Sequence, residues 1–165
     1  MIPVALVPGV LALLPDYASL EDPVADLRAA CREAVAALGP RVRVVASTPS
    51  ARRVGEHLVS AAGAEVAEHD PTGVLVVANG SATRTEKAPG HLDERAEAFD
   101  ESLRELLAGP DPAGLAAIDT ALGAELWADV DGLVALADLL TPAQRVDVRY
   151  DAAPYGVQYW VIGYA

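Results

Sequence analysis

The sequence predicts a three-layer α/β domain, with a mixed, mostly parallel central sheet flanked by helices and closed by a C-terminal antiparallel hairpin. Three observations carry this. Strand and helix patterns alternate through roughly the first 80 residues, the signature of βαβ units around a parallel sheet. Val74-Leu75-Val76-Val77 is an unbroken apolar run, as expected of a strand buried on both faces. Two β-rich segments end the chain, separated only by the short Asp151–Gly156 connection. A chain of 165 residues accommodates one such domain, spanning 1–165, and contains no linker or internal repeat that would divide it.

Each element has a local cause. Residues 4–8 form the first strand, stopped by Pro8-Gly9. Asp22-Pro23 offers a carboxylate cap followed by a proline suited to a first helical turn. Val24, Leu27, Cys31, Val35 and Leu38 then recur at helical spacing until Gly39-Pro40. Val42, Val44 and Val45 make a β-branched strand over 41–46. Thr48-Pro49 repeats the cap-and-proline device, with Val54, Leu58 and Ala61 on the buried face and Gly63 as C-cap. After the third strand, residues 78–90 are polar and irregular. A helix is expected from Asp93 to about Leu107. Another begins at Asp111-Pro112, its inward stripe being Leu115, Ile118, Leu122 and Leu126. A third helical segment spans about 127–140, interrupted by Gly132 and broken by Thr141-Pro142. The closing strands run from Val146 to Tyr150 and from Val157 to Tyr164.

Composition excludes several function classes. Hydrophobic residues make up 52% of the chain, enough for a core, so disorder is not expected. The formal charge is −12, opposite to the basic field that nucleic-acid phosphates or anionic lipid surfaces require. Neither nucleic acid nor membrane is therefore an expected partner. The single cysteine rules out an internal disulfide and any paired-thiolate metal site. The apolar opening has no basic residue near Met1 and stops at Asp16, so it reads as a strand and loop, with the cytoplasm as default compartment.

Chemistry-bearing residues are sparse. His57, His69 and His91 show no metal-binding spacing, and neither phosphate-loop nor nucleophile-elbow motifs occur. No metal ligands and no cofactor are assigned. Cys31 lies on the apolar stripe of its helix and reads as core. The densest polar run is 79–95, beginning where a parallel strand ends, which is where open α/β sheets bind ligands. It includes Lys87, the only lysine in the chain. From this run and the Pro- and Gly-bearing 151–156 connection come the candidate ligand-binding residues Asn79, Ser81, Arg84, Lys87, Asp151 and Tyr155. Thr83 and His91 are the candidates for catalysis, with an ordered, helix-capping surface loop as the alternative for the whole segment. Four of the five tyrosines, Tyr150, Tyr155, Tyr159 and Tyr164, cluster with Trp160 near the C-terminus. They read as core, with a homodimer interface as the alternative.

Three stretches, VVANGSATRTEKAPGHLDERAEAFDESL (76–103), GPDPAGLAAIDTALGAEL (109–126) and YDAAPYGVQYWV (150–161), resemble a group of actinobacterial proteins similar to the class III extradiol ring-cleavage dioxygenases of the LigB type. The resemblance implies a mixed sheet flanked by helices. It also implies a non-haem Fe(II) centre of two histidines and one glutamate, with a further histidine as acid/base. Carried onto this chain, the first histidine position falls in Val7-Pro8-Gly9-Val10 and the second in Ser47-Thr48-Pro49-Ser50. The acid/base position falls in Gly80-Ser81-Ala82-Thr83, and the glutamate corresponds loosely to Glu125. None of these segments contains histidine. The expectation is a LigB-like protein without ring-cleavage activity that binds a small molecule or a protein partner. A metal-independent enzyme using residues 79–91, and an Fe(II) enzyme with relocated ligands, are the alternatives.

Overall fold

The computed structural model describes residues 1–17 and 20–165. Six strands form one sheet: β1 (Val4–Val7), β2 (Arg41–Ala46), β3 (Glu65–Val66), β4 (Gly73–Val77), β5 (Val146–Ala152) and β6 (Tyr159–Tyr164). Their order is β3-β2-β4-β1-β6-β5. β1, β2, β3 and β4 pair in parallel, with Leu6 opposite Val76 and Val44 opposite Leu75. β6 runs antiparallel to both β1 and β5. The expected three-layer, mostly parallel fold with an antiparallel C-terminal hairpin is the observed one.

Side-chain alternation explains the layers. Ala5, Val7, Val42, Val44, Leu75, Val77, Tyr159 and Val161 point to one face and pack with α1 (Ala25–Ala36) and α2 (Pro49–Ala61). Val4, Leu6, Val74, Val76, Trp160, Ile162 and Tyr164 point to the other. That face is covered by α3 (Ala96–Ala108), α4 (Pro112–Ala116), α5 (Thr120–Glu125) and α6 (Val130–Ala137). Every residue of β1 and β4 is buried, which is why both strands read as unbroken apolar runs. Each buried valine or leucine among them contributes about 1.5–3 kcal/mol on leaving water.

Thr48 caps where the sequence places a cap, whereas Asp22 does not cap α1: that helix begins two residues later than Pro23, at Ala25, with Val24 as N-cap and no side-chain cap hydrogen bond. The Thr48 hydroxyl accepts from the Ala51 amide at the start of α2, with Pro49 as first helical residue. Asp22 accepts from the Val24 amide and pairs with Arg28, whose guanidinium also donates to the carbonyls of Ala12 and Leu13. The α1 N-terminus is thereby tied to the turn Leu11–Leu13. Two differences from the sequence reading have local causes. The helix expected from Asp111 through Leu126 is two helices, because Asp119 caps a new one by accepting from the Leu122 amide. The short strand β3 is one that the sequence reading does not include. Its two residues are exposed and pair with Arg41 and Val42, a pairing that no apolar pattern announces.

Cys31 is fully buried, and burial pushes its thiol up to about 12. A thiol reagent such as 5,5′-dithiobis(2-nitrobenzoate) will therefore find no reactive cysteine in the native protein and one per chain in denaturant. Stoichiometric labelling of the native protein would contradict this placement. The aromatic cluster is largely core: Trp160, Tyr164 and Tyr159 are buried, whereas Tyr155 is exposed.

Candidate functional site

The chain leaves β1 towards α1 on one face of the sheet and leaves β4 towards α3 on the other. β1 and β4 are neighbours, so the carboxyl ends of this pair form a switch point, where α/β sheets open a crevice. A cleft of about 400 Å³ lies there. Its floor is Gly9 after β1 and Asn79 after β4. Ser47, Thr48 and Ser50 form one wall, between β2 and α2. Trp127, Asp129 and Asp131, leading into α6, form the other.

Hydrogen bonds hold these segments together. Asn79 Oδ1 accepts from the Gly9 amide at 2.8 Å, and the Asn79 carbonyl accepts from the Asp129 amide at 3.1 Å. Ser47 Oγ donates to Asp129 Oδ1 at 2.7 Å, and the same oxygen accepts from the Gly132 amide, capping α6. The amino ends of α2 and α6 thus both border the cleft. No lysine, arginine or histidine lines it. Trp127 is 60% exposed at its edge, with φ +60°.

The loop after Asn79 turns away from this cleft and inward. Gly80 donates to the Gln158 carbonyl, Gln158 to the Ser81 carbonyl and Arg84 to the Gly156 carbonyl, at 2.9, 2.9 and 3.0 Å. Residues 80–84 therefore run alongside the approach to β6. Gly156, at φ +74°, makes this possible, because a Cβ there would lie 2.5 Å from Ala88 Cβ. A polar chain fills the junction, buried at Ser81, Asp100 and Gln158 and reaching solvent at Asp151. Asp100, on α3, is fully buried and accepts from the Ser81 amide at 2.9 Å and from Ser81 Oγ at 2.6 Å. Arg84 Nη1 lies 3.4 Å from Asp100 Oδ2 and donates to Gln158 Oε1 at 3.0 Å. Gln158 Nε2 donates to Asp151 Oδ1 at 2.8 Å, and Arg104 Nη2 donates to the same carboxylate oxygen at 2.8 Å. Burial pushes the Asp100 carboxyl above its ordinary value, against the opposing pull of Ser81 and Arg84. Asp151 moves the other way, held down by Arg104.

The sequence-predicted residues therefore separate into three places. Asn79 lines the switch-point cleft. Ser81, Arg84 and Asp151 belong to the polar chain around Asp100, and Thr83 is 2% exposed with a hydroxyl that finds no partner among the described residues. Lys87 and Tyr155 flank a shallow open depression of about 520 Å³ together with Thr85, Glu86, Pro154 and Gly156. His91 is exposed nearby, its Nδ1 3.4 Å from the Glu86 carbonyl oxygen. The 79–91 and 151–156 segments do meet, but as a packed seam beside that depression. Trp127, Asp129 and Asp131 went unnoticed in the sequence. The available signal was an aspartate two residues after a tryptophan at a helix start, which reads as an ordinary cap.

The cleft brings together both segments in which the resemblance puts iron-binding histidines, as Gly9 and as Ser47 with Thr48 and Ser50. These side chains do not fit a two-histidine, one-carboxylate Fe(II) centre. Hydroxyls and a bare backbone stand where imidazoles are required, and His57, His69 and His91 do not line the cleft. Glu125 is 60% exposed and engaged with Arg95 at 2.9 Å. Among the described residues, no group of three or more His, Cys, Asp and Glu side chains is arranged to hold a metal ion, and no helix is long and apolar enough to cross a membrane. No protein-family model matches the chain, and no curated protein matches it.

Proposed function

We propose that this is a LigB-like protein of the cytoplasm that binds a small molecule at the switch-point cleft and does not cleave aromatic rings. One observation carries the reading. The segments following β1 and β2, where the resemblance calls for iron-binding histidines, form part of the floor and one wall of a cleft whose polar groups are hydroxyls, an amide and carboxylates. The volume is in the range of ligand sites, and the polar side chains converge from the ends of β2 and β4 and from the start of α6. In this reading Asn79 orients the ligand through its amide, while Asp129 and Asp131 accept hydrogen bonds.

The test has two arms. Anaerobic loading with Fe(II), followed by catechol or protocatechuate and O2, is expected to give no ring-opened chromophore. Metal-dependent turnover would overturn the reading. A fragment screen by ¹H–¹⁵N NMR is expected to produce shifts that converge on Gly9, Asn79 and Asp129. Shifts confined to the Lys87–Tyr155 depression, or none at all, would reject the cleft as the binding site.

A further inference from the structure

We infer that the ligand of this cleft is a neutral, polyhydroxylated ring, a pyranose or a cyclic polyol, stacked on Trp127; this rests on the cleft being the binding site. Ligand charge is the first discriminator. An anion would meet Asp129 and Asp131 with no basic side chain lining the cleft to offset them. A small metal ion would need a shell of about six oxygens. Here one of the four carboxylate oxygens, Asp129 Oδ1, is already engaged by Ser47 and the Gly132 amide. An organic cation would be attracted by the two carboxylates, an attraction that the amino ends of α2 and α6, each worth about half a positive charge, offset only in part. Charge thus disfavours anions and small metal ions, and the hydroxyl and amide groups of the cleft decide between a cation and a neutral molecule.

Donor and acceptor balance is the second discriminator. The cleft presents carboxylate acceptors in Asp129 Oδ2 and Asp131 and an amide donor in Asn79 Nδ2. The Ser47 hydroxyl is an acceptor because its proton goes to Asp129, the Thr48 hydroxyl is a donor because its oxygen accepts from the Ala51 amide, and the Ser50 hydroxyl can take either role. Sugar hydroxyls both donate and accept, so each can engage such a mixed wall. A hydrocarbon ring would leave those polar groups unpaired, at a cost for every one desolvated.

The third is Trp127. A tryptophan held at φ +60° and 60% exposed occupies a backbone region that is unfavourable for any side chain but glycine. Its main chain is fastened on both sides. Its own amide donates to the Ala124 carbonyl at 3.1 Å, and the Ala82 amide donates to the Leu126 carbonyl at 2.9 Å. The indole lies against Gly90, where an added Cβ would sit 3.1 Å from Trp127 Cδ2. A rigid, amphipathic indole at the edge of a polar cleft suits the apolar C–H face of a sugar ring, the hydroxyls projecting to Asp129, Asp131 and Asn79.

Saturation-transfer NMR on the intact protein, with glucose, galactose, mannose and myo-inositol as separate probes at millimolar concentration, tests this. At least one is expected to receive saturation, strongest at the C–H protons of one ring face, and to change the tryptophan fluorescence. Trp127→Ala and Asp131→Asn should each weaken that binding by about tenfold or more. Both side chains are exposed, so an unchanged melting temperature verifies folding. Absence of binding by all four probes overturns the inference, as does binding that Trp127→Ala leaves intact. The fragment screen keeps the two failures apart. Cleft shifts from catechol or choline with none from the four polyols would reject the sugar-ring class and leave the binding site standing. An unresponsive cleft would reject both.

Discussion

Asp100→Ala is expected to lower the unfolding free energy by about 3–5 kcal/mol, the cost of removing one member of a buried charged pair. Urea titration followed by circular dichroism will measure it. The size follows from what the alanine strands. The Ser81 amide and hydroxyl, at 2.9 and 2.6 Å, lose their only acceptor in a fully buried position, and Arg84 loses its buried counter-charge. Asp100→Asn should cost clearly less, because Oδ1 can still accept from the Ser81 amide while Nδ2 donates to Ser81 Oγ. Equal losses in the two variants would show that the negative charge beside Arg84, and not the hydrogen bonds an amide can keep, sets the cost.

The same pair of proteins tests the titration. The Asp100 carboxyl titrates higher in the folded state than unfolded, because burial disfavours its charge. Between the two values the folded protein binds more protons, so this group's contribution falls as pH rises through that window. Wild type should therefore lose stability relative to Asp100→Asn as pH rises from the ordinary aspartate range towards the elevated folded value. Asp151 contributes the opposite slope in both proteins, being held down by Arg104. Its contribution is present above the ordinary aspartate range and is lost as pH falls through the lowered folded value, and it cancels in the difference. A relative gain of wild type with rising pH would place the Asp100 shift in the wrong direction.

Trp160→Ala will be comparably damaging, about 3–5 kcal/mol. Trp160 is fully buried on β6, opposite Asp151 in the β5–β6 register. It fills the face covered by α3 to α6 and lies under the loop after β4, where a Cβ on Gly80 would approach its ring to 2.8 Å. Removing the indole empties a volume bounded by strands on one side and by the Asp100 chain on the other, and neither can collapse into it freely. Trp160→Phe, which restores most of that volume, should recover more than half of the loss. A cost near 1 kcal/mol for alanine would mean that the layers close over the gap.

The expected dependence on Trp160 also separates the two aromatic roles in this chain. Trp127 and Trp160 are its only tryptophans. From sequence, the aromatic C-terminal segment drew attention as core or interface, and Trp127 drew none. Burial reverses their interest for function: Trp160 is structural, while Trp127 stands at the edge of the cleft.

Local sequence determined the layers. Continuous apolar runs in β1 and β4, alternation in β2, proline-and-cap signals at Thr48-Pro49 and Asp111-Pro112, and the tight 151–156 connection are short-range patterns. Each acts through the conformational preference and burial of neighbouring residues, so the three-layer fold was legible. Asn79 was legible as well, because it directly follows a buried parallel strand. What tertiary structure alone decided was the site around it. Strand order makes β1 and β4 neighbours although 65 residues lie between Val7 and Gly73, and that adjacency creates the crevice. Ser47 meets Asp129 across 82 positions, while Ser81 and Arg84, polar residues in a polar loop, are consumed by Asp100, 19 and 16 positions away. Polarity along a chain records only that a group needs a partner. Whether the partner is another buried side chain or a ligand depends on which distant segments the sheet brings together.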